Sequence, residues 1–167
     1  MVVNKPSGIA VHGGSGVAYG LIEGLRAATG KKYLELIHRI DRDTSGLVMI
    51  SKKRSTLKTL QDLLHEHKIQ KTYAAIVKGQ VSLDQQLIDA PLHRYELANG
   101  ERRVRVSKEG KASKTQWNVA ERFMHASLVY ASPLSGRTHQ IRVHGLSIGH
   151  PLVGDDKYGH QTEYRGP

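Results

Sequence analysis

Two carboxylates and two guanidinium groups fall within residues 39–43, inside the segment His38-Arg-Ile-Asp-Arg-Asp-Thr-Ser-Gly46. A carboxylate can attack an electrophilic carbon or take up an acidic proton, and both roles require it ionised. A neighbouring cation favours the ionised form, so Asp41, with Arg39 and Arg42 beside it in sequence, is the first candidate for chemistry. The same residues also suit a solvated turn in which Asp43, Thr44 and Ser45 hydrogen-bond their own backbone. Spacing alone favours that plainer turn, and only further segments can tip the balance.

A second segment, Ser135-Gly-Arg-Thr-His-Gln-Ile-Arg-Val-His144, leads from a turn into a helix start, where Arg137 and Arg142 suit a phosphate or a carboxylate. A basic surface helix explains it as well. The third, Lys71-Thr-Tyr73, sets an aromatic ring at a strand start, and an ordinary half-buried strand residue is the simpler reading of Tyr73. The wording His-Arg-Ile-Asp is not a kinase catalytic loop. Its Asp is displaced by one position, and no Gly-rich loop followed by a strand Lys precedes it. The ten His residues form no good chelate: His65 and His67 fall on different faces of a helix, and His139 and His144 are five apart. No metal site is expected, and His38 reads as a structural support for the Asp41 loop. Residues 101–114 hold six Lys or Arg against two Glu. Arg102, Arg103 and Arg105, with Lys52, Lys53 and Arg54, offer a track for phosphates. A solvated basic hairpin accounts for any one of them equally well.

The elements that must position these groups follow from periodicity. Residues 34–37 form a short apolar run that feeds the polar loop, and residues 47–50 read as a buried strand beyond it. Leu21, Ile22 and Leu25 recur at helical spacing before Gly30. Ser55 is the expected N-cap of a helix whose Leu57, Leu60, Leu63 and Leu64 share a face. Residues 72–77 predict a strand ended by Gly79. Val104 and Val106, then Thr115, Trp117 and Val119, alternate as half-buried strands do, and residues 127–131 continue the pattern. Residues 138–148 predict a helix stopped by Gly149, with Pro151 beyond. Residues 11–17 are glycine-rich and turn-like. Strands without regular βα alternation argue for an α+β fold around a largely antiparallel sheet.

The bulk numbers are compatible with this. The chain has 167 residues, enough for one domain with a core, and no repeat or linker divides it. Its 25 Lys and Arg against 15 Asp and Glu give a formal charge of +10, which points toward a polyanionic partner. Cys is absent, so disulfides, zinc ribbons and thiol nucleophiles are excluded. No apolar run approaches the roughly 20 residues that span a bilayer, and the first residues do not read as a signal peptide. A cytoplasmic protein with no membrane partner is expected.

Together the segments carry a resemblance. His38-Arg-Ile-Asp-Arg-Asp-Thr-Ser-Gly46 resembles the His-Arg-Leu-Asp-x-x-Thr-Ser-Gly signature of the RluA family of pseudouridine synthases, with Ile40 at the usual Leu position. Asn4-Lys-Pro-Ser-Gly8, Lys71-Thr-Tyr73, Gly136-Arg-Thr-His-Gln-Ile-Arg-Val-His144, Gly149-His-Pro-Leu-Val-Gly-Asp155 and Tyr158-Gly159 follow the family order along the whole chain. The resemblance implies an α+β pseudouridine synthase catalytic domain: a mixed, largely antiparallel bent sheet with flanking helices and a central active-site cleft. It implies an isomerase that converts uridine to pseudouridine in RNA, with Asp41 attacking at the sugar, Tyr73 packing on the base and Arg142 pairing with the catalytic carboxylate. Arg39 would help displace the target base, and Arg137 would bind RNA. Within the family, Asp-Arg-Asp-Thr-Ser-Gly and His-Gly-Gly-Ser-Gly are most similar to the ribosomal large-subunit branch, which implies 23S ribosomal RNA as substrate; a monomer is expected as the acting form. Neither metal nor cofactor is required by an internal rearrangement. The chain also reads as a fragment lacking an N-terminal S4-like RNA-binding domain and some C-terminal residues. Two other readings compete: an RNA-binding module of the same fold without catalysis, which the presence of Asp41, Tyr73 and Arg142 opposes, and a metal-dependent hydrolase, which the ligand spacing opposes.

Overall fold

The computed structural model describes residues 1–14 and 19–159. The chain forms two compact units, Met1–Ile69 and Gln70–Pro167. The glycine-rich stretch at 11–17 is described only as far as Gly14.

The first unit runs β1 (Val2–Lys5), α1 (Leu21–Thr29), β2 (Glu35–Leu36), β3 (Gly46–Ser51) and α2 (Arg54–His65). Strand β3 is central and pairs antiparallel with both neighbours. Its alternation buries Val48 and Ile50 and leaves Leu47 exposed, and the same unit also buries Val11, Ile22, Leu34, Ile37 and Ile40. Gly46 opens β3 at φ +125, a backbone angle that a side chain strongly disfavours, so the loop can turn into the strand there. The first turn of α1 is closed by Glu23, whose carboxylate accepts the N–H groups of Gly20 (2.9 Å) and Gly13 (3.0 Å). Helix α2 corrects one expectation. Its N-cap is Lys53 and not Ser55, which lies inside the first turn. The hydroxyl that shapes the entry is Ser51, which accepts the Lys53 N–H and donates to the Lys53 carbonyl. The four Leu of α2 share a half-buried face, as their spacing requires.

The second unit contains β4 (Tyr73–Lys78), β5 (Gln85–Asp89), β6 (Leu92–Glu96), β7 (Arg102–Val106), β8 (Lys114–Arg122), β9 (Ala126–Pro133) and α3 (Gln140–Ser147). Four strands form a sheet in the order β4-β9-β8-β5, and β6 and β7 form a hairpin. All described pairings are antiparallel, and the fold is α+β as the pattern indicated. Strands β5 and β6 went unread because Gln85, Gln86, Asp89, Arg94 and Glu96 mask their alternation. Their pairing with β8 and β7 makes them strands.

Helix α3 is apolar on two sides for a reason. Ile141 packs on the sheet cluster of Val77, Val81, Ile88, Trp117, Val129 and Ala131, while Val143 and Leu146 pack with Leu92, Val104 and Tyr158. It starts at Gln140 and not at 138, because His139 takes a left-handed conformation at φ +51. A third side carries a buried polar chain. Gln140 Nε2 donates to Thr115 Oγ1 (3.0 Å), Thr115 Oγ1 lies 2.8 Å from His144 Nδ1, and His144 Nε2 lies 3.0 Å from the Ala90 carbonyl. A carbonyl only accepts, so Nε2 carries a proton, and in the neutral imidazole Nδ1 then accepts from Thr115. Burial holds the His144 pKa below its ordinary value, partly opposed by the Ala90 carbonyl and Asp89. The neutral form is therefore favoured by folding, and its contribution is complete above the ordinary His value and lost as pH falls. Thermal melts should show stability declining below about pH 6.5, and His144→Gln should lower the melting temperature at pH 8 while removing much of that decline. An equal decline in the variant would assign it to another group.

Candidate active site

The loop of Asp41 is a built turn. The Thr44 N–H donates to the Asp41 carbonyl at 3.2 Å, which places Arg42 and Asp43 at the corners. Their side chains pair with each other, Arg42 Nε to Asp43 Oδ1 at 3.1 Å, in the open. What fixes the turn is the segment Asn4-Lys-Pro-Ser-Gly8. Gly8 N–H (2.9 Å) and Lys5 Nζ (2.8 Å) both donate to the Arg42 carbonyl, and Ser7 Oγ donates to the Asp43 carbonyl at 2.8 Å. The Lys5 ammonium is fully buried and spends its other two protons on the carbonyls of Ile9 (2.6 Å) and Pro6 (2.9 Å). Burial pulls its pKa below the ordinary lysine value, while Asp43 and Asp41 push it back up. On the other side His38 Nε2 accepts the Met49 N–H at 3.1 Å and ties the loop to β3, the supporting role expected of it. Buried Ile37 and Ile40 anchor the loop, Asp41 is half-buried, and Arg39 between the two Ile is exposed.

The second unit carries the other two expected residues. Tyr73 is half-buried at the start of β4, opposite Ala131 of β9. Alternation puts it on the same face as Ala75 and Val77, the face on which Ile141 of α3 packs. Arg142 therefore lies on the helix that covers Tyr73's side of the sheet. Within this unit it forms a two-point pair with Asp155, Nε to Oδ2 at 2.6 Å and Nη2 to Oδ1 at 2.8 Å, and its guanidinium sits 5.0 Å from the centre of the Tyr158 ring. Asp155 Oδ1 also accepts the N–H groups of Lys157 and Tyr158. Burial pushes the Asp155 carboxyl up, but Arg142 and those N–H groups outweigh it, and its pKa lies below the ordinary value. Asp155 and Lys5 were missed as functional supports. Each lies in a segment that the family resemblance already quoted, but nothing in local spacing distinguishes a buried partner from a surface charge.

The expected phosphate track is divided. On β7, Arg102 faces one side and Arg103 and Arg105 the other. Arg102 lies near Glu96 (3.6 Å), Arg103 is held by Glu101 (3.1 Å) and the Lys157 carbonyl (3.2 Å), and Arg105 stacks on Tyr95 (5.2 Å). Lys52, Lys53 and Arg137 are exposed.

The chain matches the family model for RNA pseudouridylate synthase over residues 1–147 and belongs to that family. It is 54% identical over 162 residues to the ribosomal large subunit pseudouridine synthase C of Yersinia pestis, covering 96% of this chain and 51% of that protein. It is also 54% identical over 160 residues to the protein of the same name from Escherichia coli (strain K12), covering 95% and 50%. The chain thus spans about half the length of these curated relatives. Among solved structures, human RNA pseudouridylate synthase domain containing 1 superposes with a TM-score of 0.80 at 27% identity, covering 96% of this chain and 66% of that one. Human RNA pseudouridylate synthase domain containing 4 gives 0.76 at 28%, covering 94% and 64%.

Two substitutions test the supports. Lys5→Met takes the ammonium donor from the Pro6 and Ile9 carbonyls and leaves the Arg42 carbonyl only the Gly8 N–H, and it should destabilise the protein by on the order of 3 kcal/mol in urea unfolding; a loss below about 1 kcal/mol would mean that water replaces the ammonium. Asp155→Asn breaks a largely buried pair and should cost a similar amount, on the order of 3 kcal/mol at pH 7. Because the Asp155 pKa is depressed by folding, its contribution is present above the unfolded value and lost below it. The gap in melting temperature between wild type and Asp155→Asn should therefore narrow below about pH 4, and an unchanged gap at pH 3 would contradict the ion pair.

Proposed function

We propose that this chain is the catalytic part of an RNA pseudouridine synthase, isomerising uridines of large-subunit ribosomal RNA, 23S RNA in bacteria. The observation that supports it most is the Asp41 turn, held by three donors from residues 5–8 in a chain 54% identical to large-subunit synthases. In the reaction the bond from C1′ of the ribose to N1 of uracil breaks, a bond from C1′ to C5 forms, C5 loses a proton and N1 gains one. Atoms and electrons balance without an external reagent, so the chemistry as written calls for neither metal nor cofactor. Asp41 supplies the carboxylate, as nucleophile at C1′ or as base at the adjacent carbon. Arg142, oriented by Asp155, supplies a fixed counter-charge. The base must leave its stack, which costs a few kcal/mol, and stacking on Tyr73 returns part of that. Arg39, exposed on the same loop as Asp41, assists the displacement, and Arg137 with the basic side chains of β7, Lys52 and Lys53 meets the phosphates.

Among the described residues no helix is long and apolar enough to cross a membrane. Action in the cytoplasm, as a monomer on ribosomal RNA, completes the proposal.

Asp41→Asn should reduce pseudouridine formation in a uridine-containing large-subunit RNA transcript by at least about a hundredfold, with an unchanged melting temperature and RNA affinity. Retention of more than a hundredth of the wild-type rate would remove Asp41 from the chemical step.

A further inference from the structure

The second unit contains a cavity of about 390 Å³, of whose lining the roles above use Arg137 alone. Leu92 and Val104 of the β6–β7 hairpin provide its apolar floor. Arg94 of β6, Lys111 of the following turn and Arg137 before α3 bring three cations to its wall against one carboxylate, Glu109. Thr138 adds a hydroxyl.

The wall is built, not incidental. The Lys111 turn is locked to β6 by a reciprocal pair, Leu92 N–H to Lys111 carbonyl at 3.0 Å and Lys111 N–H to Leu92 carbonyl at 2.9 Å. This approach is so close that a Cβ on Gly110 would lie 2.5 Å from the Leu92 carbonyl carbon, so only glycine lets the turn lie there. On the opposite side Arg137 is fixed at both ends. Its backbone N–H donates to buried Gln140 Oε1 (3.0 Å) and its Nε to the Ala112 carbonyl (3.3 Å). The arginines of β7 have Glu96, Glu101 or a Tyr ring against them. Arg94 and Lys111 have no carboxylate partner among the described residues. Three converging cations with one carboxylate among them, above an apolar floor, suit an anion that also has an apolar body. The volume is in the range of small-ligand sites, roughly 300 to 1,000 Å³.

We propose that this cavity docks one nucleotide of the RNA strand outside the reacting uridine. Its phosphate lies among Arg94, Lys111 and Arg137, and its sugar or base rests on Leu92 and Val104. The site rests on the reading of the chain as an RNA enzyme and adds to it a second point of attachment, which sets affinity and register and does not enter the chemical step.

The test uses Arg94→Gln and Lys111→Gln, both exposed positions, with Lys58→Gln on the exposed side of α2 as a control that removes the same charge elsewhere. Binding of a fluorescent single-stranded RNA carrying the target uridine is measured across salt concentrations, and turnover is measured on the same RNA. Each cavity variant should make the slope of log affinity against log salt shallower by about 0.7, the value for one lost single-strand phosphate contact. KM should rise with kcat unchanged, and Lys58→Gln should match wild type. Slopes unchanged in both cavity variants, or an equal change in Lys58→Gln, would overturn the site. Turnover by wild type together with unchanged slopes rejects the cavity alone. The expected slopes without any pseudouridine formed would uphold the cavity as an RNA site and reject the catalytic reading.

Discussion

An ammonium group taken out of water must place three protons, and Lys5 places all three on main-chain carbonyls, those of Pro6, Ile9 and Arg42. Among the described residues no carboxylate hydrogen-bonds to it, so the charge is held by dipoles and by the more distant Asp43 and Asp41. This one cation joins the end of β1, the bend after it and the turn beside Asp41. The Arg42 carbonyl accepts from both Lys5 and Gly8, so both of its lone pairs are used and the turn has little freedom to pivot. A reactive carboxylate on a loop needs that restraint, because small errors of position at a reacting atom cost large factors in rate. The exposed pair of Arg42 with Asp43 adds little by comparison, as exposed pairs generally do.

Helix α3 solves a related problem for Arg142. It is only eight residues long, too short to persist alone, and every side of it is used. Gln140 and His144, four apart, lock one side to β8 and to the Ala90 carbonyl. Ile141 is packed on the sheet, and Val143 and Leu146 on the hairpin. Arg142, two positions from each member of the polar pair, is turned away from them toward Asp155 and the ring of Tyr158. The histidine in Gln-Ile-Arg-Val-His is thus a neutral structural bolt.

Charge counting alone does not show how the basic stretch at 101–114 is arranged. Strand alternation splits Arg102 from Arg103 and Arg105, and local partners meet most of their charge. Arg94 and Lys111, which have no carboxylate partner among the described residues, come from a strand that did not read as one and from a turn held by Gly110.

By itself the sequence determined the α+β class, the strands around Val48, Trp117 and Val129, the face of α2, and the segments containing Asp41, Tyr73 and Arg142. These are legible because burial on one face imposes a period on neighbouring residues, and because the charged segments occur together in the family's order along the chain. Three things were decided only by tertiary structure. Ser51 and not Ser55 shapes the start of α2, since the strand's end sets where the helix can begin. β5 and β6 exist because β8 and β7 offer them hydrogen-bond partners, whatever their own polar side chains suggest. Lys5 and Asp155 support Arg42 and Arg142 from 37 and 13 residues away. No period in the sequence encodes such a pairing, because whether a charge is buried and which group it meets depend on how distant segments pack.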